Sequence, residues 1–352
     1  MKRLLLILLA AMLCAPLSSA RDKEYAVVNL PVNFLRLEPD YESPLETQVL
    51  MGTVVEVLAR DGYWVKVRTP EPYEAWCTEL GLTFFKDEKD FRSYYKDNKL
   101  IAVARHFFAY EDKSGKEDKI LSPIVQGDIL RLIRSADSNG MVKIKLPDGR
   151  TGFVREENVE PLAKWAKRVE ATPENLAKLA ISYIGTPYMW GGASVNAFDC
   201  SGLIRQVFYM NGILLPRNAR EQIFCGEPVN TYEELEVPDS TASIGSLDRY
   251  WLKRTKNLRK GDLLFFGRVD EDGERTVTHV GMYLGDGEFI HSSHLVRISS
   301  FNPGTDNMYE NAHKFIGACR IVDKKGYIIL EESWDEKGRS EGFKAQYIDD
   351  LL

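Results

Sequence analysis

The stretch Phe198-Asp199-Cys200-Ser201-Gly202 decides how the second half of the chain folds, because it marks the start of a helix. The apolar residues that follow it have the spacing of one helical face: Leu203, Ile204, Val207 and Phe208. Asp199 is a favoured N-cap residue, so Cys200 falls in the first turn. Unpaired N–H groups and the positive end of the helix dipole stabilise a thiolate there. Cys200 is therefore a candidate nucleophile, and the same N–H groups suit an oxyanion.

A base for Cys200 has to come from another part of the chain, which contains five histidines. His279 begins a strand-like segment, and His291 lies on the next one, across the turn 285–287. Adjacent antiparallel strands bring such side chains together, so we expect His279 to be the base and His291 to orient it. His294 falls on the opposite face and is left out. A lone cysteine or histidine is more often structural, so the assignment depends on the three residues together.

The composition and the N-terminus limit the classes of protein to which this chain can belong. A net charge of −6 over 352 residues argues against nucleic acid or an anionic membrane surface as the main partner. Residues 1–20 combine two basic residues, an apolar run too short to span a bilayer and small residues before a cleavage site near Ala20. We expect a cleaved signal peptide and an exported protein, periplasmic or secreted, without stable membrane insertion.

The cysteines do not indicate a disulfide scaffold or a metal site. After cleavage four remain in more than 300 residues, and none has zinc-ligand spacing. We expect Cys77 and Cys319 to be buried small hydrophobic residues. No metal and no cofactor is expected.

Changes in pattern divide the chain. Residues 21–85 consist of short strands with glycine turns, typical of a small β-barrel. Residues 99–162 repeat that pattern in degenerate form, and the charged segment 86–98 is a linker or a short helix. Residues 163–323 begin with helices and continue with strands, which favours an α+β domain. Residues 324–352 are a C-terminal appendage.

Five motifs in order closely resemble the NlpC-type branch of the papain-like cell-wall peptidases: Pro187-Tyr188-Met-Trp190-Gly-Gly192, Phe198-Asp-Cys-Ser-Gly-Leu203, Leu215-Pro-Arg217, Gly261-Asp-Leu-Leu-Phe-Phe266 and His279-Val-Gly-Met-Tyr283. The resemblance covers about Thr172 to Val322. It implies a papain-like catalytic domain in which Cys200, His279 and His291 act together. It also implies that Tyr188 lies near the oxyanion site and that Trp190, Asp199 and Ser201 line the substrate cleft. Aromatic packing and helix capping are the structural alternatives for these four residues.

The two N-terminal segments resemble bacterial SH3-like domains, and the whole arrangement resembles the γ-D-glutamyl-L-diamino-acid endopeptidases. The resemblance implies a first SH3-like domain that closes one end of the cleft and recognises a free N-terminal L-Ala. By this analogy Glu38 pairs with the ammonium group and Tyr73 forms a wall of its pocket, although a solvated turn is an equal alternative for Glu38. A purely structural role is nearly as plausible as binding for the second SH3-like domain.

Two features depart from that subgroup. Asn218 stands where the subgroup often carries an aspartate, so it brings a hydrogen-bond acceptor but no charge to amine recognition. Residues 227–257 form an insertion that either rims the cleft or decorates the surface.

The sequence therefore predicts an exported, monomeric cysteine endopeptidase that acts on the peptidoglycan-derived peptide L-Ala-γ-D-Glu-diamino acid. The alternative is a cell-wall-binding protein of SH3-like modules with a weak or acyl-transfer catalytic domain.

Overall fold

The computed structural model describes residues 24–238, 241–321, 327–334 and 340–347. The expected signal peptide and its cleavage site lie outside these residues. Within them, no helix is both long and apolar enough to cross a membrane.

The N-terminal segment forms a seven-stranded antiparallel sheet with the strand order β3-β2-β6-β5-β4-β1-β7. Its strands alternate buried and exposed side chains, as expected where one face covers a core. That core contains Val28, Leu35, Val65 and Cys77. The strands are β1 (Glu24–Val28), β2 (Val32–Arg36), β3 (Leu45–Leu50), β4 (Val54–Asp61), β5 (Trp64–Arg68), β6 (Glu74–Thr78) and β7 (Leu82–Phe84).

A second seven-stranded sheet follows helix α1 (Glu88–Lys96), in the segment for which the sequence left a linker or a short helix open. Its order, β10-β9-β13-β12-β11-β8-β14, reproduces that of the first sheet strand for strand. The two segments are therefore structural repeats, as their sequence pattern indicates. The strands are β8 (Lys99–Ala102), β9 (His106–Tyr110), β10 (Ile120–Val125), β11 (Ile129–Arg134), β12 (Met141–Lys145), β13 (Thr151–Arg155) and β14 (Val159–Pro161).

The C-terminal domain packs helices against a six-stranded antiparallel sheet of order β17-β22-β18-β19-β20-β21. Two short strands, β15 (Ala193–Ser194) and β16 (Ala197–Phe198), precede the central helix. The helices are α2 (Leu162–Arg168), α3 (Pro173–Ser182), α4 (Cys200–Tyr209), α5 (Ala219–Gln222) and α6 (Ile244–Thr255). The sheet strands are β17 (Glu227–Val229), β18 (Leu263–Val269), β19 (Arg275–Gly285), β20 (Glu288–Ser293), β21 (Leu295–Ser300) and β22 (Phe315–Arg320).

Helix α4 lies at the centre of the catalytic domain and packs against β19 and β20. The apolar residues that define its predicted face, Leu203 to Phe208, belong to the main core cluster together with Phe265 and Val280. Helix α3 begins after the N-cap residue Thr172, whose hydroxyl accepts a hydrogen bond from Asn175 N at 3.2 Å. It ends at Ser182.

The second SH3-like domain contacts both of its neighbours through one turn. The Asp128 carboxylate accepts a hydrogen bond from Met51 N of the first domain at 3.0 Å. The preceding Gln126 accepts one from the Tyr183 hydroxyl at 2.5 Å and one from Gln206 at 3.1 Å. This turn therefore fixes the first domain relative to the catalytic domain.

Beyond the catalytic domain, the chain forms a two-stranded antiparallel sheet from β23 (Tyr327–Trp334) and β24 (Ser340–Tyr347). These strands fall in the predicted C-terminal appendage.

Candidate active site

Cys200 is the first residue of α4, at the point where this helix meets β19. Asp199 caps the helix as the sequence predicts, since its Oδ1 accepts a hydrogen bond from Gly202 N at 2.7 Å. Backbone hydrogen bonds from Ser201 and from Val280, the residue after His279, reach the Cys200 thiol. The helix start and the histidine strand therefore meet at the sulfur.

His279 and His291 lie side by side on β19 and β20. His279 Nε2 is 2.7 Å from His291 Nδ1, and His291 Nε2 is 3.0 Å from the Ser299 hydroxyl on β21. One consistent set of tautomers has each Nε2–H donating to the next group. It leaves Nδ1 of His279 as an unprotonated acceptor. The arrangement suits a general base held by a buried partner.

Desolvation disfavours a charge on both Cys200 and His279. Desolvation and the negative charge of Asp199 raise the pKa of the Cys200 thiol to about 11, and the two backbone hydrogen bonds offset this only in part. Desolvation lowers the pKa of His279 to about 4 and that of His291 to about 2. The helix start alone predicts a stabilised thiolate, but desolvation outweighs the helix end in the closed domain. Both side chains are therefore neutral in the ligand-free domain.

Asp199 and Ser201 are buried, and their polar atoms are bound within the protein. Arg217 forms a bidentate ion pair with the Asp199 carboxylate and donates to the Ser201 hydroxyl at 2.9 Å. Gly191 N donates to the second carboxylate oxygen at 3.0 Å. These contacts favour the capping role that the sequence left open for both residues over direct substrate contact.

The first SH3-like domain lies against this site along strand β3. Arg217, only 1% exposed, also donates from Nε to the Thr47 hydroxyl at 2.8 Å. Ala193 N donates to Gln48 at 2.9 Å. Gly191 has a φ of +75°, and a Cβ there would lie 2.7 Å from Leu45. Glycine is therefore required where the two domains touch.

Tyr73 and Asn218 come together at this domain junction, beside Glu46 of β3. The Tyr73 hydroxyl donates to the carboxylate of Glu46 on β3. Desolvation and Glu46 raise the pKa of Tyr73 to about 12, whereas hydrogen bonding by Asn218 lowers it. Glu38 lies in an exposed turn after β2, where its backbone N–H donates to Ser43. Glu46 is therefore the acid that hydrogen-bonds with Tyr73, and the pairing of Glu38 with an ammonium group stays a prediction.

Tyr188 lies beside Cys200, and Trp190 lies on the same loop. Desolvation, and to a smaller extent the charge of Asp199, raise the pKa of the Tyr188 phenol to about 12. Its hydroxyl is therefore protonated and able to donate. Trp190 is 66% exposed, so it offers an aromatic face to solvent rather than packing in the core.

Four residues near the site escaped sequence reasoning: Glu46, Arg297, Ser299 and Tyr309. The Tyr309 ring is 5.0 Å from that of His291, between centroids, and burial raises the pKa of its phenol. Strand alternation could have identified Arg297 and Ser299. They lie two residues apart on the strand after that of His291, so their side chains share one face of the sheet. Glu46 gave no such signal, because it lies among the short strands of the first SH3-like domain, far from the histidines in sequence.

The insertion 227–257 belongs partly to the core. Its first strand, β17, pairs with β22 at the sheet edge. Trp251 of α6 is 4% exposed and stacks on Phe301 with centroids 4.8 Å apart. Phe301 in turn stacks on Phe266, whose ring lies 5.8 Å from that of His279. The insertion therefore supports the sheet behind the histidines.

Comparison with known proteins identifies a bacterial SH3 domain ahead of a peptidase domain, the order that the sequence predicts. Residues 185–314 match the NlpC/P60 family, and residues 30–81 match the bacterial SH3 domain. Dipeptidyl-peptidase 6 of Lysinibacillus sphaericus is 28% identical over 272 residues, which cover 76% of this chain and 87% of that protein. The gamma-D-glutamyl-L-lysine dipeptidyl-peptidase of Bacillus subtilis is 29% identical over 286 residues, which cover 79% and 82%.

A crystal structure of an NlpC/P60 family protein from Bacillus cereus has the same fold. Its TM-score is 0.66 at 23% identity, over 85% of this chain and 99% of that one. The matches to the NlpC/P60 family and to the peptidase relatives place the chain among the cysteine peptidases. More narrowly, it carries an NlpC/P60 domain in residues 185–314 behind a bacterial SH3 domain in residues 30–81.

Proposed function

We propose that this chain is an exported cysteine endopeptidase that hydrolyses the γ-D-glutamyl–diamino-acid bond of peptidoglycan stem peptides with a free N-terminal L-Ala. The observation that carries the proposal is the continuous set of contacts from Cys200 to Glu46. Cys200 follows Asp199, Asp199 binds Arg217, and Arg217 binds Thr47, the residue after Glu46. A dipeptide lying between the two ends would place its amine near Glu46 and its second carbonyl near the thiol.

In the proposed reaction, Cys200 is the nucleophile and His279 the base, oriented by His291. The sulfur attacks the γ-carbonyl carbon of D-Glu while the thiol proton passes to His279. His279 then donates that proton to the nitrogen of the departing diamino acid, leaving a thioester on Cys200. Water, deprotonated by His279, attacks the thioester and releases L-Ala-D-Glu. The Tyr188 hydroxyl and the N–H groups at the start of α4 are placed to stabilise the oxyanion.

Glu46 supplies the negative charge that a buried ammonium group requires. Tyr73 and Asn218 lie beside it and add hydrogen-bonding groups. A neutral residue at position 218 is then compatible with amine recognition, because the charge comes from the first SH3-like domain. This assignment also gives the domain junction a role in selecting peptides that begin at L-Ala. Trp190 would border the open side of the cleft.

The names of the relatives support the substrate class. The Bacillus subtilis relative is named for cleavage after γ-D-glutamyl before L-lysine, and it aligns with most of this chain. Bacterial SH3 and NlpC/P60 domains both point to action outside the cytoplasm, on the cell wall.

The test is incubation of the mature protein with L-Ala-γ-D-Glu-L-Lys and with the same peptide N-acetylated. The wild type is expected to release L-Ala-D-Glu and lysine from the free peptide and to leave the acetylated one largely intact. Cys200→Ala is the matched control and should release neither product. Equal release by wild type and Cys200→Ala would exclude the proposed chemistry, and equal cleavage of both peptides would exclude amine recognition.

A further inference from the structure

Arg297 carries a positive charge next to the histidine pair and has no partner in the proposed reaction. It lies on β21 directly opposite His291 in the strand register, so the two side chains share a face of the sheet. Its charge acts on His279, His291 and Tyr309, in each case lowering the pKa. Arg297 therefore carries its charge on the same face of the sheet as His291.

One nitrogen of the Arg297 guanidinium is also unsatisfied within the described part of the chain. Its Nε is buried, and no described residue accepts a hydrogen bond from it. The Nε atoms of Arg105, Arg205 and Arg254 are buried and unpaired as well, but the other nitrogens of these arginines pair with Thr186, with Glu71 and with Phe315 O, respectively. Leaving a buried charged donor unpaired is costly, so a site of this kind is suited to an anion from outside.

The reaction determines which part of a substrate faces Arg297. The acyl part stays on Cys200, where the charges that shift the thiol pKa are those of Asp199 and Arg217. The leaving nitrogen takes its proton from His279 and therefore lies on the histidine side of the cleft. The α-carboxyl group of the leaving residue is only two bonds from that nitrogen. An arginine beside the histidine pair is thus placed to meet it.

We propose that Arg297 binds the free α-carboxylate of the diamino acid on the leaving side, so that the enzyme prefers peptides that end at this residue. The inference rests on the proposed function and adds a carboxylate site to it. Arginine suits this role because its planar fork forms two parallel hydrogen bonds with a carboxylate. A further residue joined to that carboxyl group would remove the negative charge from this position.

The test compares L-Ala-γ-D-Glu-L-Lys with its C-terminal carboxamide, a pair that differs only in the charge at the α-carboxyl group. Wild-type kcat/KM is expected to be roughly 10- to 100-fold higher for the free acid, as for a charge-assisted hydrogen bond. In Arg297→Gln the ratio should fall to about one, and Arg297→Lys should retain part of it. Arg268→Gln, which removes an exposed arginine from the same sheet, should keep the wild-type ratio.

The outcomes separate the two proposals. Equal wild-type turnover of acid and amide overturns the carboxylate site and leaves the proposed function standing. A preference for the acid that survives in Arg297→Gln also overturns it. If the wild type cleaves neither peptide, the proposed function fails and the carboxylate site fails with it. The wild-type comparison needs no variant, so it remains decisive if a substitution disturbs folding.

Discussion

His279 Nε2 and His291 Nδ1 are 2.7 Å apart, and the second imidazole continues to the Ser299 hydroxyl at 3.0 Å. A histidine in the orienting position is neutral here, because burial lowers its pKa to about 2. It therefore holds His279 by hydrogen bonding rather than by charge. The pair also explains why the accepting nitrogen of His279 is the one that remains free for the thiol proton.

Removing the orienting residue should slow catalysis without abolishing binding. In His291→Ala the Nε2–H of His279 has no acceptor, so we expect kcat to fall by roughly 10²- to 10⁴-fold, as for loss of a positioned proton acceptor, with KM nearly unchanged. Steady-state kinetics on L-Ala-γ-D-Glu-L-Lys measures both constants. His291→Asn keeps an acceptor and should recover part of kcat. A kcat equal to that of the wild type in His291→Ala would contradict the orienting role.

The pH dependence of kcat/KM should follow the depressed pKa of His279. Below about pH 4 His279 is protonated and cannot accept the thiol proton, so activity should be lost on acidification through that value. An exposed histidine would impose the same loss near its ordinary pKa of about 6.5. Because the pKa of Cys200 is raised to about 11, thiol ionisation should add no second limb between pH 5 and 9.

This profile is measured at substrate concentrations below KM, with circular dichroism at each pH to confirm that the protein stays folded. An acid limb at pH 6 or above, in protein that is still folded, would contradict the neutral resting pair.

The buried ion pair between Asp199 and Arg217 should be strongly coupled. Arg217→Met leaves the Asp199 carboxylate buried without its counter-ion, which is expected to cost about 3–5 kcal/mol of unfolding free energy. Adding Asp199→Asn removes the unpaired charge, so the double variant should be more stable than the sum of the single losses predicts. Urea denaturation of the two single variants and the double variant provides the cycle. Strict additivity would show that the two side chains do not stabilise each other.

Amine recognition should depend on Glu46 and not on Glu38. Glu46→Gln removes the charge beside Tyr73, and we expect kcat/KM for the free tripeptide to fall by roughly 10- to 100-fold. Glu38→Gln is the matched control, since Glu38 lies in an exposed turn of the same domain, and its kinetics should equal those of the wild type. The reverse order of effects would return the role to Glu38.

The insertion should contribute to stability through Trp251. Trp251→Ala removes a buried aromatic side chain that stacks on Phe301, and we expect a loss of about 3–5 kcal/mol in unfolding free energy. The neighbouring Leu252 is 61% exposed, so Leu252→Ala should change stability by about 0.5 kcal/mol or less. Thermal or urea unfolding separates the two variants. Similar small losses in both would mean that the insertion is decoration.

Local patterns predicted the elements that carry the three reacting groups. Asp199 caps α4 as its residue type indicates, and the apolar spacing after Cys200 identifies the buried face of that helix. Period-2 alternation around a short turn places His279 and His291 on neighbouring strands. Each of these inferences spans fewer than 20 residues, over which capping chemistry and periodicity are reliable guides.

Contacts between residues far apart in the sequence could not be predicted in the same way. The sequence suggested Glu38 as the anion near Tyr73, because both fall in stretches that look similar to the endopeptidase subgroup. The structure adds Glu46 as a second candidate, because it hydrogen-bonds with Tyr73 from β3, the strand that docks on the catalytic domain. The thiol pKa was also misjudged, because a helix start favours a thiolate whereas burial opposes it, and burial exists only in the folded domain.

The sequence by itself determined the repeated SH3-like domains, the catalytic domain and the positions of Cys200, His279 and His291 on their elements, because these follow from hydrogen bonding and periodicity between near neighbours. Only the tertiary structure decided which charges meet at the site. Arg217 pairs with Asp199 and donates to Thr47, 170 residues away in the chain. The positive charge of Arg297 lowers the pKa of His279. Such contacts depend on how whole domains and strands pack, and no local sequence pattern encodes them.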